Sequence, residues 1–584
     1  MKKIELPVFI VVVLYFYSCS GQKTENHPNI ILIMADDQGW GDLSINGNKN
    51  IETSNIDKLA QEGVVFKRFY VSPVSSPTRA ELLTGRYHVR GGVSATGGGG
   101  ERLNLNEHTI AEIFKSAGYS TAAYGKWHNG MQSPYHPNAR GFDDFYGFCS
   151  GHCESYFDPL LEHNGKMTKR NGYIIDDLTD HALQFIELKQ ETPFFLYLPF
   201  NTPHAPMQVP DYWWDQLSDK TIILENDENE LFTRAALAMC LNIDWNVGRI
   251  MSKIEELNLS DNTIILYMSD NGPNNQRWNG GMKGKKGSTD EGGVRSPMFI
   301  KWNKYLKSSQ VIEEIGGAID LLPTLVDLAN ISVKYKNPID GKSLKPLITG
   351  KKNEWKDRMI FSYWNKRLSI RNQKYVLDAD NNLYDIENDP GQNMDISDKN
   401  PDIKDQFIEA KRKWEKEVLV ELPINDTRPF LIGQPGFSYS PMLAQDGIAH
   451  GNIRRSSHWP YRSFFTNWID REDSITWNVE VIDDGIFDVE IFYTCPKNET
   501  GSTFEISFNG TTLLGSISEP NNPPLTGMEN DRTLRSESYA KDFKALKVGS
   551  MPLRKGRGVL KLQATHIIGS QVMDFQSLLF TKID

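Results

Sequence analysis

Four stretches of this chain share one design. "NIILIMADD", "YSTAAYGKWH", "PFFLYLPFNTPH" and "NTIILYMSDNG" each run through apolar or small residues and stop at chemically active side chains. They lack the alternation of a strand with one wet face, so they need cover on both faces. A parallel sheet with helical crossovers provides that environment. The intervening chain supplies helices: Ile110, Ile113, Phe114 and Ala117 recur at the i, i+3, i+4, i+7 spacing of one helix face, and Gly118 provides a stop. The expected fold class is therefore α/β, a mixed, mostly parallel sheet flanked by helices. Ligands of such sheets bind beyond the carboxyl ends of the strands. Four distant segments thus bring Asp36, Asp37, Lys126, His128, His204, Asp270 and Asn271 to one sheet edge.

A chain of 584 residues is too long for one core. From about Arg358 the pattern changes to short strand-like pieces around the turn Asp380-Asn381-Asn382, followed by a helix from about Asp402 to Val418. That reads as a smaller α+β subdomain. From about Arg428 strict alternation takes over: Ile475, Trp477, Val479 and Val481, then Phe487, Val489, Ile491 and Tyr493 beyond Asp484-Gly485. This predicts a hairpin turning at Asp484-Gly485, and "TFEISFNGTTLLGSI" predicts a second at Asn509-Gly510. A C-terminal β-sandwich follows. The expected divisions are a signal segment at 1–18, a catalytic α/β domain at 27–357, the α+β subdomain at 358–424 and the sandwich at 428–584.

The amino terminus carries Lys2 and Lys3, an apolar stretch from Leu6 to Tyr17, then Ser18-Cys19-Ser20-Gly21. This is an export signal, and Cys19 resembles the lipid-bearing residue of a bacterial lipoprotein. Periplasm or cell surface is the expected location, with membrane contact through an N-terminal lipid anchor. The net charge of −11, with no basic run, excludes nucleic acid as a partner. Cys149 and Cys153 in "CSGHC" are compatible with a disulfide or with reduced thiols, and a zinc site there has only His152 as a further ligand; Cys240 and Cys495 read as core.

Asp36, Asp37, Asp270 and Asn271 are hard oxygen donors of the kind that bind calcium or magnesium. Lys126, His128, His204 and Lys286 can hold an anion and move protons. "VSSPTRAELLTGRY" places Ser75 at the mouth of a helix with Arg79 four residues on; alone, those residues are ordinary helix-start chemistry.

Taken in order, "MADDQGWGDL", "SSPTRAELLTGRY", "GKWH", "NTPHAP", "SDNGP", "KGSTDEGGVRSP" and "LYDIENDP" resemble the sequence blocks of type I sulfatases, across about residues 28–400. The resemblance implies an alkaline phosphatase-like fold and hydrolysis of sulfate esters. In that family the first signature residue, here Ser75, is oxidised to formylglycine (3-oxoalanine). A serine at this position implies an anaerobic radical-type maturing enzyme as partner. The hydrate of that aldehyde carries two hydroxyls on one carbon: one attacks sulfur, giving a sulfo-enzyme intermediate, and deprotonation of the other expels sulfate as the aldehyde reforms.

The same resemblance assigns roles. Asp36, Asp37, Asp270 and Asn271, with the modified Ser75, would hold one calcium ion. Arg79 would hold the hydrate, Lys126 the sulfate and hydrate, and His128 would take the second hydroxyl's proton. His204 and Lys286 would serve the leaving alcohol; Lys286 is preferred to Lys283 and Lys285 because it lies five residues before Glu291. The expected substrate is a sulfated carbohydrate, with polymers of sulfated galactose or N-acetylgalactosamine foremost. Two rivals stand beside this reading: a phosphate-ester hydrolase of the same superfamily, which would normally carry His where Asn271 stands, and a non-catalytic glycan-binding surface lipoprotein. In the sandwich, Arg454, Arg455, His458, Trp459, Tyr461 and Arg462 form a cationic and aromatic segment that can grip a sulfated sugar or simply serve as core and solvated surface.

Overall fold

The computed structural model describes residues 27–225, 227–351, 355–423 and 425–583. Cys19 and the expected signal lie outside the described residues. Ten strands form the principal sheet: β1 (Asn29–Ala35), β2 (Val64–Phe66), β3 (Ser120–Lys126), β4 (Asp144–Phe148), β5 (Leu160–His163), β6 (Lys166–Lys169), β7 (Phe194–Pro199), β8 (Thr263–Ser269), β9 (Met298–Lys301) and β10 (Gln310–Ile312), in the order β10-β2-β9-β8-β1-β7-β3-β4-β5-β6. The central five, β8-β1-β7-β3-β4, are mutually parallel; β9 runs antiparallel to β8 and β2, and β5 antiparallel to β4.

The continuous apolar runs are explained by cover on both faces. Along β1, Ile31, Ile33 and Ala35 join one core, and Ile30, Leu32 and Met34 join another, as the two-residue period of a strand requires. On the first side lie α1 (Ser54–Gln61), α4 (Ile174–Leu188) and α5 (Glu230–Glu256). On the second lie α2 (Ser75–Thr84), α3 (Ile110–Ser116) and α6 (Leu321–Leu328). Helix α3 starts at a capping box, with Thr109 Oγ1 accepting from the Glu112 N–H, and stops before Gly118, whose φ is +88°.

A four-stranded antiparallel sheet follows, β11 (Ile360–Trp364), β12 (Arg367–Arg371), β13 (Tyr375–Leu377) and β14 (Leu383–Asp385), packed by α7 (Pro401–Glu417) through Phe407 and Trp414. Trp414 meets Tyr87 edge to face at 5.4 Å, which ties this sheet to the segment leaving α2.

The C-terminal strands form two facing sheets around one apolar core. One sheet includes β15 (Phe430–Ile432), β17 (Ile448–His450), β20 (Ser474–Val481), β22 (Thr503–Phe508), β23 (Thr511–Ser516) and β25 (Gly556–His566). The other includes β16 (Tyr439–Leu443), β18 (Arg454–Arg455), β19 (Phe465–Thr466), β21 (Gly485–Thr494), β24 (Lys544–Leu553) and β26 (Asp574–Lys582). The Asn509-Gly510 hairpin is present: Phe508 pairs with Thr511, and both turn residues have positive φ, +46° and +86°.

The hairpin expected at Asp484-Gly485 is not formed. β20 pairs with β15, β17 and β25, whereas β21 pairs with β24 and β26. Asp483 and Asp484 therefore carry the chain from one sheet to the other. The inward residues on both strands are correct, because either sheet presents its apolar side to the same core. Among the described residues all four cysteines are free and buried, so Cys149 and Cys153 are not bridged.

Candidate active site

The carboxyl ends of all five central parallel strands converge. Asp36 and Asp37 follow β1, Lys126 ends β3 with His128 two residues on, His204 follows β7, and Asp270 and Asn271 follow β8. Helix α2 brings Ser75 as its first residue. Val74 gives it no side-chain cap; instead Thr78 Oγ1 accepts from the Ser72 N–H at 2.9 Å, and Gly85 at φ +68° ends the helix. The positive end of this ten-residue helix thus faces the gathered side chains, a location that favours an anion.

Ser75 Oγ lies 2.6 Å from Asp270 Oδ2 and accepts from Arg79 Nε at 2.9 Å. The same guanidinium donates to Asp270 Oδ2 at 2.9 Å and to the Lys126 carbonyl at 2.7 Å. Lys126 Nζ donates to Asp36 at 2.7 Å, and Lys286 Nζ to Asp37 at 2.8 Å. His204 donates from Nδ1 to the Ala205 carbonyl at 2.6 Å, which turns Nε2 toward Asp37 at 3.7 Å. Asn271 Nδ2 donates to Asp37 Oδ1 at 2.8 Å. Every sequence-predicted site residue among Asp36, Asp37, Ser75, Arg79, Lys126, His128, His204, Asp270, Asn271 and Lys286 is in this cluster or on its margin.

Three carboxylates, those of Asp36, Asp37 and Asp270, are matched by three cations, those of Arg79, Lys126 and Lys286. Burial pushes the Asp36 carboxyl up, but Lys126, His204 and Arg79 outweigh it and hold the group below its ordinary value. Asp37 is held down in the same way against burial, chiefly by Lys286. Burial pulls Lys126 down despite Asp36; Lys286, only partly exposed, is also desolvated but is held up by Asp37 and Asp36. Burial, reinforced by Lys126, pushes His128 well below the usual imidazole range, so the ring is neutral.

One carboxylate oxygen each from Asp36, Asp37 and Asp270 lie within 4.8 Å of one another. Asp36 Oδ1 and Asn271 Oδ1 are buried with no hydrogen-bond partner. Orphaned oxygens facing an oxygen-only donor set suit a hard divalent cation. Asp37 and His128 also adopt left-handed backbone, φ +65° and +60°, a conformation that costs non-glycine residues about 1 kcal/mol or more each and gathers at functional sites. Access comes from one side. The side chains of Lys286 and His204 are 20% and 14% exposed, while those of Arg79, Lys126, Asp36 and Asp270 are sealed.

The Lys286 loop is held by the four-stranded sheet. The Thr289 carbonyl accepts from Ser369 Oγ and Arg371, and Gln392 binds both the Glu291 N–H and Asp290. Lys283 is turned to Asp290 at 3.7 Å, away from Asp37.

Four strand ends are legible in the sequence as site-bearing; the fifth, that of β4, is not. The segment after β4 brings His152 to 6.1 Å (ring centroids) from His204, buried with both ring nitrogens unpartnered. Its signal was present, a strand "DFYGF" ending in "CSGHC". Cys149, read with His152 alone as possible zinc company, instead lies with His136 and Glu162, which pair with each other at 2.7 Å. The cationic and aromatic segment of the sandwich is divided by the fold. Arg455 is spent on the carbonyls of Ala444 and Gly447, and Arg462 on Glu154 at 3.4 Å. Arg454, His458 and Trp459 are exposed, and Tyr461 reaches His128.

Comparison with known proteins agrees with this geometry. The model of the sulfatase family matches residues 28–331, and that of the N-sulphoglucosamine sulphohydrolase C-terminal region matches residues 285–417. N-acetylgalactosamine-6-sulfatase of Mus musculus is 32% identical over 377 residues, covering 58% of this chain and 68% of that protein. Steryl-sulfatase of Homo sapiens is 29% identical over 469 residues, covering 63% and 77%. The crystal structure of Ps i-CgsB in complex with k-i-k-neocarrahexaose is 32% identical with a TM-score of 0.62, covering 69% of this chain and 96% of that one.

Proposed function

The chain belongs to the type I sulfatases of the alkaline phosphatase superfamily and is a sulfuric ester hydrolase, and we propose that it removes sulfate from a sulfated saccharide or polysaccharide, using Ser75 oxidised to formylglycine and one calcium ion. The observation that carries this reading is Ser75 Oγ, held between Asp270 and Arg79 at the centre of a charge-matched, oxygen-rich pocket. A saccharide substrate is supported by the N-acetylgalactosamine-6-sulfatase name of one relative and the oligosaccharide bound to another; polymers of sulfated galactose or N-acetylgalactosamine remain the leading class. The division at 27–357, 358–424 and 428–584, maturation by a radical-type enzyme, export, and lipid attachment at Cys19 belong to the same reading. Among the described residues no helix is long and apolar enough to cross a membrane.

Asp36, Asp37, Asp270, Asn271 and the modified Ser75 would hold the calcium, which neutralises charge on a sulfate oxygen and on the attacking oxygen when bound. Oxidation of Ser75 gives the aldehyde, and addition of water to it places two hydroxyls on the same carbon, and with them a route for releasing sulfate. Arg79 orients the Ser75 oxygen. Lys126, sealed beneath the site, places a positive charge against the sulfate. His128 is neutral, with Nε2 committed to the Thr96 carbonyl at 2.7 Å, so Nδ1 is the nitrogen left to accept a proton. His204 and Lys286 stand on the open side, where the leaving sugar must depart, and supply a proton and a positive charge to its oxygen. The phosphate-ester rival is disfavoured by Asn271 in place of a histidine ligand, and the non-catalytic rival by the full set of assembled groups.

Two measurements test the reading. Mass spectrometry of the Ser75 peptide should show loss of two hydrogens in active protein, and a panel of defined sulfated saccharides should release sulfate. His204→Ala should lower kcat about 10²–10⁴-fold on a saccharide sulfate, the range for losing a general acid. On 4-nitrophenyl sulfate, whose phenolate leaves without a proton, the loss should be about tenfold or less. Equal losses on both substrates would remove His204 from the leaving-group role.

A further inference from the structure

Neither family model extends past residue 417, yet the sandwich touches the catalytic histidine. Tyr461 sits edge to face on the His128 ring, centroids 5.8 Å apart at 89°. Two glycines make room for it. A Cβ on Gly151 would overlap both the His128 ring and Tyr461, and a Cβ on Gly97 would press into Tyr461. The Tyr461 hydroxyl is hydrogen-bonded to Thr96 Oγ1, and the carbonyl of that same Thr96 is the partner of His128 Nε2 at 2.7 Å.

The support matters because of where Thr96 lies. It opens the run Gly97-Gly98-Gly99-Gly100, in which Gly98 and Gly99 both have positive φ. Four consecutive glycines carry little conformational preference of their own; the Gly100 carbonyl accepts from the Ser94 and Ala95 N–H groups and the Gly99 carbonyl from Arg102, and at Thr96 itself the side chain is held by Tyr461. Tyr461 is itself well held. The Arg462 N–H donates to Gln445 Oε1 at 3.0 Å, the Arg462 guanidinium meets Glu154 at 3.4 Å, and the Ser463 N–H donates to the Pro460 carbonyl at 3.1 Å. A carbonyl only accepts, so the Thr96 contact keeps the proton on Nε2 and leaves Nδ1 as the basic nitrogen.

We propose that Tyr461 is a positioning residue for His128: its hydroxyl fixes Thr96, Thr96 fixes the ring tautomer, and the C-terminal sandwich is thereby part of the catalytic apparatus. The inference rests on the reading of His128 as the proton acceptor.

Tyr461→Phe keeps the ring between the two glycines and removes only the hydroxyl, so it separates positioning from packing. The expected result is a fall in kcat of about fivefold to tenfold, the scale of one lost hydrogen bond, with KM unchanged and Tm lowered by no more than the loss of that one bond. A second readout needs no turnover. In Ser75→Ala protein, diethyl pyrocarbonate should label His128 slowly, and adding Tyr461→Phe should raise labelling of the His128 peptide several-fold, followed by mass spectrometry. Wild-type kcat and wild-type labelling in Tyr461→Phe, with His128→Ala inactive, would overturn the coupling and leave the base in place. A fully active His128→Ala would overturn both.

Discussion

Ser75→Ala is expected to end sulfate release, a loss of about 10⁶-fold in kcat, the scale on which removal of a covalent nucleophile is felt. The protein should remain folded. Asp270 Oδ2 keeps its bond from Arg79, Asp270 Oδ1 keeps the Asp37 N–H, and only Arg79 Nε loses its acceptor. Leaving one buried donor unpaired costs about 1–3 kcal/mol, which thermal melting followed by circular dichroism would register as a modest fall in Tm. Ion chromatography of released sulfate measures the activity. A variant that keeps appreciable turnover while its Ser75 position is alanine would dispose of covalent catalysis at this residue.

The second large effect is loss of the metal. Prolonged chelation should reduce kcat about 10³-fold or more, the several kcal/mol of charge stabilisation that a bound ion contributes to a developing oxyanion, and calcium should restore it. The site supports that expectation through its unpartnered Asp36 and Asn271 oxygens and, among the described residues, an all-carboxylate cluster of Asp36, Asp37 and Asp270. Asp270→Ala should be equally inactive and not rescued by calcium. Asp270 is fully buried against Arg79, and removing one partner of such a pair costs about 3–5 kcal/mol, so Asp270→Asn is the companion variant: it keeps the shape and removes the charge. Recovery with zinc but not calcium would shift the case toward the phosphatase-like chemistry.

Local order in the chain already specified the parallel centre of the principal sheet and most of the candidate site. A strand apolar on both faces and a helix with a 3.6-residue stripe are written in local order, and a parallel strand exposes whatever follows its last apolar residue at one common edge. Asp36, Asp37, Lys126, His128, His204, Asp270 and Asn271 were legible for that reason, and Ser75, Arg79 and Lys286 became so through the company of the other blocks. Which strands pair was settled by packing across the fold. Residues 474–481 and 485–494 carry the same alternation whether they form a hairpin or face each other across a core, and the pattern records which side is buried, not which neighbour is hydrogen-bonded. The same packing also decided that Cys149 and Cys153 stay free, that Arg455 and Arg462 are consumed by carbonyls and Glu154, and that His152 joins the site. Tyr461 is the clearest case. It lies 333 positions from His128, and no periodicity or motif links them. Their contact exists because the sandwich docks on the carboxyl edge of the sheet, and docking is fixed by shape and by polar groups such as Gln445, Glu154 and Thr96 that find their partners only after both parts have folded.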